Sequence, residues 1–149
     1  MQDHGSNAAQ DFELERFLPY RMAVAAEKLS VGMSKRYRDE FGISIPEWRV
    51  LVNIADRGAV SVRDIEREVH LEKSKASRAA SRLEANGYVT KAVNKADRRL
   101  VVLQLTEAGE ALMQQLLGIA AEYQARLDAM LAPEGEALNR AIDRILSDL

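Results

Sequence analysis

The stretch "NKADRRLVVLQLT", residues 94–106, changes character halfway along. Six polar or small residues, ending in Arg98 and Arg99, run straight into a strongly β-prone segment. Just upstream, "YVTKAV" (88–93) is a second β-like run, so the two read as a hairpin whose tip is "NKADR". Paired arginines beside one acid, Asp97, at such a tip are either a solvated turn with an internal ion pair or a reach toward a partner. The elements that precede the hairpin decide between these readings.

Immediately before it, "EKSKASRAASRLEANG" (72–87) has helical spacing. Ala76, Ala79, Ala80 and Leu83 form a narrow stripe of small residues, and Lys75, Ser77, Arg78, Ser81 and Arg82 cover the remaining surface. Gly87 supplies a C-terminal stop. One step further back, Ser61 reads as an N-cap, with Asp64 in place of the capping-box glutamate, and opens a short helix through "IEREVH" (65–70). "LEKS" (71–74) then turns the chain. Two short helices, a tight turn and a hairpin over residues 61–106 make a winged helix-turn-helix, whose second helix can enter a major groove while the hairpin reaches the neighbouring backbone or minor groove.

The flanks are longer than such a unit needs. "SIPEWRVLVNIADRGAV" (44–60) reads as a helix with Ser44 near its N-cap, Pro46 in its first turn and Gly58 as its stop. Its inward side is expected to carry Trp48, Leu51, Val52 and Ile54 or Ala55. Residues 11–41 read as one long helix with Phe17, Leu18, Met22, Ala25, Ala26, Leu29, Met33, Tyr37 and Phe41 on its apolar face. Pro19 either kinks that helix or marks its true start. After the hairpin, Thr106 caps a long helix with Leu112, Leu116, Ile119, Ala120, Tyr123, Leu127 and Leu131 on one face. A break at Pro133 leads to a last helix bearing Leu138, Ile142, Ile145 and Leu149. The expected order is four helices, two strands and two helices, a mainly α fold with a small β-hairpin wing. The expected organisation is a disordered tail (1–10), an N-terminal dimerisation helix (11–42), a DNA-binding domain (44–106) and C-terminal dimerisation helices (107–149).

Charge is distributed unevenly. Residues 73–99 hold eight basic side chains against Glu84 and Asp97, a net of +6, while residues 107–149 hold three against eight acids, a net of −5. A basic segment between acidic flanks fits a domain that meets a polyanion with one face. The 149 residues are 47% hydrophobic and 30% charged, which suits one globular domain with helical arms. No stretch approaches the ~20 uncharged apolar residues of a membrane span. The first 17 residues lack the pattern of a secretory signal, and the chain has no cysteine, which excludes disulfides and thiolate chemistry and fits a cytoplasmic location.

Ser74, Lys75, Ser77 and Arg78 lie at the start of the second helix of the pair, where such helices contact bases. Arg78 can bond bidentately to guanine, and the serines reach bases or phosphates. Arg82 and Lys91 suit phosphate contacts better than base readout, and Lys95 at the wing tip is a further candidate for DNA contact. Arg98 and Arg99 suit a narrow, electronegative minor groove or its phosphates. Asp97 would repel phosphate directly, so its expected role is to hold a neighbouring arginine in place.

At these residues the chain resembles the multiple antibiotic resistance regulator (MarR) family. "LEKSKASRAASRLEANGYVTK" is similar to its recognition helix and first wing strand. "DRRLVVLQLTEAG" is similar to its acid-and-arginine wing and Leu-Thr-x-x-Gly helix start, and "IPEWRVLVNIADRG" to the segment before its helix-turn-helix. The resemblance spans about residues 12–149 in element order. It implies a homodimer with interlocking N- and C-terminal helices, two winged domains on a pseudo-palindromic double-stranded DNA site, and repression released by a small, often aromatic, acid. Met33, Tyr37, Trp48 and Arg49 lie where elements lining the family's effector crevice are expected to meet, with ordinary core packing the favoured alternative for Met33 and Trp48. Without cysteine, the family's thiol-based peroxide sensing is excluded.

Other classes fit less well. His4 and His70 are the only histidines, too few for a regulatory zinc site, and His70 reads as a helix C-terminal residue complementing the dipole. No nucleophile elbow surrounds Ser74 or Ser77 and no glycine-rich phosphate loop precedes a helix, so neither an enzyme nor a cofactor is expected. A winged-helix protein–protein interaction module is the main rival, and a non-specific architectural DNA-binding protein a further one. The +6 segment argues against the first, because a protein partner does not require basic groups on both helix and wing.

Overall fold

The computed structural model describes residues 11–68 and 71–149. The expectations for the 1–10 tail, His4 and His70 lie outside the described residues. The chain divides into two compact units, one ending at Gly32 and one spanning Met33–Leu149.

In the first unit a 3-10 turn, Leu14–Arg16, precedes helix α1, Leu18–Phe41, which continues into the second unit. The helix expected from residue 11 therefore starts seven residues later. Pro19 lacks a backbone donor and falls in the first turn, where none is needed, so it marks the start of the helix. Phe12 meets Phe17 edge-on, with ring centroids 5.2 Å apart. None of residues 11–32 is buried, and Phe12, Leu14, Phe17, Leu18, Tyr20, Val24, Leu29 and Val31 are exposed.

In the second unit, α1 ends in a left-handed Gly42 (φ 66°). Gly42 N–H donates to Arg38 O and Ile43 N–H to Tyr37 O, a closure that buries Ile43. Helix α2, Ile45–Arg57, opens with a complete capping box: Ser44 Oγ accepts from Glu47 N, and the Glu47 carboxylate accepts from Ser44 N. Glu47 is thereby buried with its charge satisfied. Val50, Leu51 and Ile54 face the core, Trp48 and Val52 are half-buried, and Ala55 is exposed.

Strand β1, Ala59–Ser61, was not expected. It pairs antiparallel with β3, Val101–Leu105, which also pairs with β2, Val89–Val93, giving the order β1-β3-β2. The wing is thus the outer part of a three-stranded sheet with β3 at its centre. Ser61 closes β1 and also caps helix α3, Val62–Glu68, accepting from Asp64 N at 3.0 Å. Helix α4, Lys73–Ala85, buries Ala76, Ala79, Ala80 and Leu83 against α2, α3 and β2, the stripe read from its spacing.

Thr106 caps α5, Glu107–Leu131: its Oγ1 accepts from Gly109 N at 3.0 Å and donates to Gly87 O at 2.6 Å. One hydroxyl so ties the end of α4 to the start of α5. Leu112, Met113, Leu116 and Ile119 enter the core with Leu51, Ile54, Ile65, Leu83 and Leu103, whereas Ala120, Tyr123, Leu127 and Leu131 are only half-buried. Helix α6, Gly135–Asp148, buries nothing among its residues, and Leu138, Ile145 and Leu146 are exposed along it. No helix among the described residues is long and apolar enough to cross a membrane.

Candidate nucleic-acid interface

The alanine stripe explains how α4 is presented. Small side chains let its backbone pack close to α2 and α3, so that every long polar side chain is turned outward. Ser74, Lys75, Ser77, Arg78 and Arg82 are all exposed. Arg78 is braced along the helix: its Nε donates to Ser74 O at 3.1 Å and a terminal nitrogen to Ser74 Oγ at 3.4 Å. Ser74 thus supports the arginine that sequence reasoning assigns to base recognition.

The wing tip is ordered by two short acceptors. Asn94 Oδ1 takes the N–H groups of Ala96 and Asp97, at 2.8 and 3.3 Å, and Asp97 Oδ1 takes both the backbone N–H and the Nε of Arg99, at 3.1 and 3.3 Å. Asp97 therefore holds Arg99, while Lys95 and Arg98 stand exposed at the tip. The Arg99 side chain is 87% exposed, so this ion pair contributes orientation and little stability.

Lys91, expected at a phosphate, is half-buried. Its ammonium donates to Ser81 Oγ at 2.9 Å and lies 4.0 Å from Glu84 Oε1, bracing β2 against α4.

Two open clefts flank α4. One, of about 310 Å³, is lined by Val62, Arg63, Glu66, Lys73, Ser77, Ala80, Lys91, Arg99, Leu100 and Val101. The other, of about 240 Å³, is lined by Ser44, Pro46, Lys75, Arg78, Ala79 and Arg82. The outward residues of α4 therefore sit on a ridge, with Ser77 facing the wing side and Lys75, Arg78 and Arg82 the α2 side. Sequence reasoning missed Arg63 and Lys73. Arg63 belongs to α3, outside the +6 segment, and only the α3–α4 turn brings it beside the wing; Lys73 was counted in that segment but assigned no role.

Of the four candidate ligand residues, three pack in or against the core and Arg49 is half-buried. Tyr37 is buried and stacks on Trp48, with ring centroids 5.8 Å apart and planes 23° off parallel, and Met33 packs on the same core. Burial pushes the Tyr37 phenol up to about 12, against a smaller opposing pull from Arg38 and Arg49. Nearby, Arg36 joins α1 to α5 through Glu122 and also pairs with Glu40, and the Glu122 bond raises its pKa further.

Among the described residues there is no group of three or more metal-capable side chains.

Comparison with known proteins agrees with this geometry. Residues 41–100, the end of α1 through the wing tip, match the model of the MarR family. The HTH-type transcriptional repressor IacR of Pseudomonas putida is 22% identical over 147 residues, covering 98% of this chain and 87% of that protein. A MarR family transcriptional regulator from Silicibacter pomeroyi is 28% identical, with TM-score 0.75 over 92% of this chain and 97% of the other. BpsR of Bordetella bronchiseptica, whose DNA binding is regulated by 6-hydroxynicotinic acid, shares the fold at 20% identity, with TM-score 0.77 over 93% of this chain and 98% of that one. The helix-turn-helix, the braced wing arginine and these matches agree: over residues 41–100 the chain matches the MarR family, and its fold is that of solved transcriptional regulators of that family.

Proposed function

We propose that this regulator is a homodimeric repressor that reads a pseudo-palindromic operator and is released by a small aromatic acid. Base readout comes from Ser77 and Arg78 with Lys75, supported by Ser74. Arg82 and Lys95 meet phosphates, and Arg98 and Arg99 lie in the minor groove beside the wing or on the phosphates that border it. The observation that carries this reading is the α4 ridge: its apolar side is wholly used inside the fold, and its outward side holds basic and hydroxyl groups. That surface suits a polyanion and offers a protein partner little to bury.

The dimer reading is supported by large apolar side chains that are exposed among the described residues. On α6, Leu146 is 77% exposed and Leu138 is 41% exposed, and the α1 and α5 ends carry further apolar side chains toward solvent. A twin chain covers such faces in a two-fold arrangement and sets two recognition helices about one DNA turn (~34 Å) apart. On this reading residues 11–42 and 107–149 form the dimerisation part. Release by an aromatic acid rests on the family and on the regulation of BpsR by 6-hydroxynicotinic acid.

Fluorescence anisotropy with DNA from upstream of the protein's own gene, against scrambled DNA of equal length at two salt concentrations, tests the reading. Tight, salt-sensitive binding that prefers the native fragment is expected. Equal weak binding to both fragments favours an architectural role, and no binding at either salt overturns the DNA-reading function.

A further inference from the structure

The cleft on the wing side of α4 gathers four cations from four segments. Arg63 comes from α3, Lys73 from the first residue of α4, Lys91 from β2 and Arg99 from the wing, with Glu66 the single acid in the lining. Lys91 is already engaged by Ser81 and Glu84, and Arg99 is held by Asp97 through its Nε. The remaining cations, Arg63 and Lys73, are exposed at the rim, and neither has a role in base reading. Glu66, Glu84 and Asp97 offset most of this charge, and what they leave unbalanced falls on the Arg63 and Lys73 side of the cleft, open to an anion.

We propose that Arg63 and Lys73, with Arg99, clamp consecutive backbone phosphates of the DNA strand that crosses between the recognition helix and the wing. This rests on the reading of α4 as a major-groove helix and of the wing as a minor-groove element. If both are seated, the sugar-phosphate ridge separating those grooves passes through the gap between α4 and the wing, and that gap is this cleft. No base edge reaches such a ridge, so the chemistry recognised is phosphate alone. The planar guanidinium of Arg63 suits two phosphate oxygens, Lys73 adds a point charge, and the Ser77 hydroxyl on the same wall can donate. The clamp fixes the spacing between helix and wing and contributes affinity without sequence preference.

The test is a salt series of anisotropy titrations on the full chain, with upstream and scrambled duplexes, for wild type, Arg63→Ala, Arg63→Gln and Arg63→Lys. The two neutral variants should lower the slope of log affinity against log salt by about 0.9 per bound chain, near 1.8 for a two-chain complex. They should weaken both duplexes by the same factor, and Arg63→Lys should keep the wild-type slope. A steep wild-type slope left unchanged in both neutral variants overturns the clamp and leaves the regulator reading standing. A loss confined to the upstream duplex also overturns it, because that marks a base contact. A wild-type chain with no salt-dependent binding overturns both.

Discussion

Gly109 is the position where a single methyl group should do most damage. A Cβ built there lies 2.0 Å from Tyr88 O, 3.0 Å from Tyr88 C and 3.3 Å from a Leu105 methyl. The blocking atom is a backbone oxygen and cannot swing aside, because the same oxygen accepts from Thr106 N at 3.0 Å. Relief requires the start of α5 to move off the α4–β2 corner, straining the Thr106 bonds to Gly87 and Gly109. Overpacking of this kind costs ~1–3 kcal/mol and a weakened hydrogen bond ~0.5–1.5, while alanine's better helix propensity returns up to ~1. The net for Gly109→Ala is a loss of about 1–3 kcal/mol, or about 2–12 °C in midpoint at 2–4 °C per kcal/mol. Gly118, in the same helix, has nothing within 4 Å of its added Cβ, so Gly118→Ala should gain up to ~1 kcal/mol. Thermal and denaturant unfolding at one fixed protein concentration reads both variants. Equal midpoints for the two, or a raised midpoint for Gly109→Ala, would refute the close-approach argument.

Other outcomes follow from the interface and the core. Arg78→Ala should cost about 1–3 kcal/mol on a preferred site and flatten discrimination against scrambled DNA. Unchanged affinity and preference in the same titrations would remove α4 from the groove. Asp97→Ala frees Arg99 from both of its bonds and should weaken binding to all duplexes while leaving the unfolding midpoint nearly unchanged; a midpoint loss as large as that of Gly109→Ala would make Asp97 structural. The Tyr37 phenol keeps its proton to about 12 in the fold and loses it near its ordinary value of 10.0 when unfolded. The unfolded chain thus binds fewer protons between those values, and stability should fall as pH rises through that window. Tyr37→Phe keeps the stack on Trp48 and should lose that extra alkaline slope; a melting-temperature profile identical to wild type would contradict it.

What could be read from the sequence by itself is what depends on near neighbours along the chain. The alanine stripe of α4 needs only helical spacing, and the caps at Ser44, Ser61 and Thr106 bond to N–H groups three residues away. The wing tip belongs to the same class, since Asp97 and Arg99 are two residues apart. The start of α1 was half legible: Pro19 announced it, and apolar spacing pulled the expectation too far upstream. Tertiary structure alone decided the rest. Strand β1 is three residues long, too short for any period, and exists because β3, some forty residues later, offers it hydrogen bonds. Lys91 looked like a free phosphate ligand until packing of β2 on α4 brought its ammonium to Ser81. The basic cleft is of the same kind. Arg63 and Arg99 have no relation along the chain, and their convergence beside Lys73 is produced by the α3–α4 turn and the pairing of the sheet. Local bonding specifies elements and caps, whereas contacts between residues far apart in sequence depend on how those elements pack.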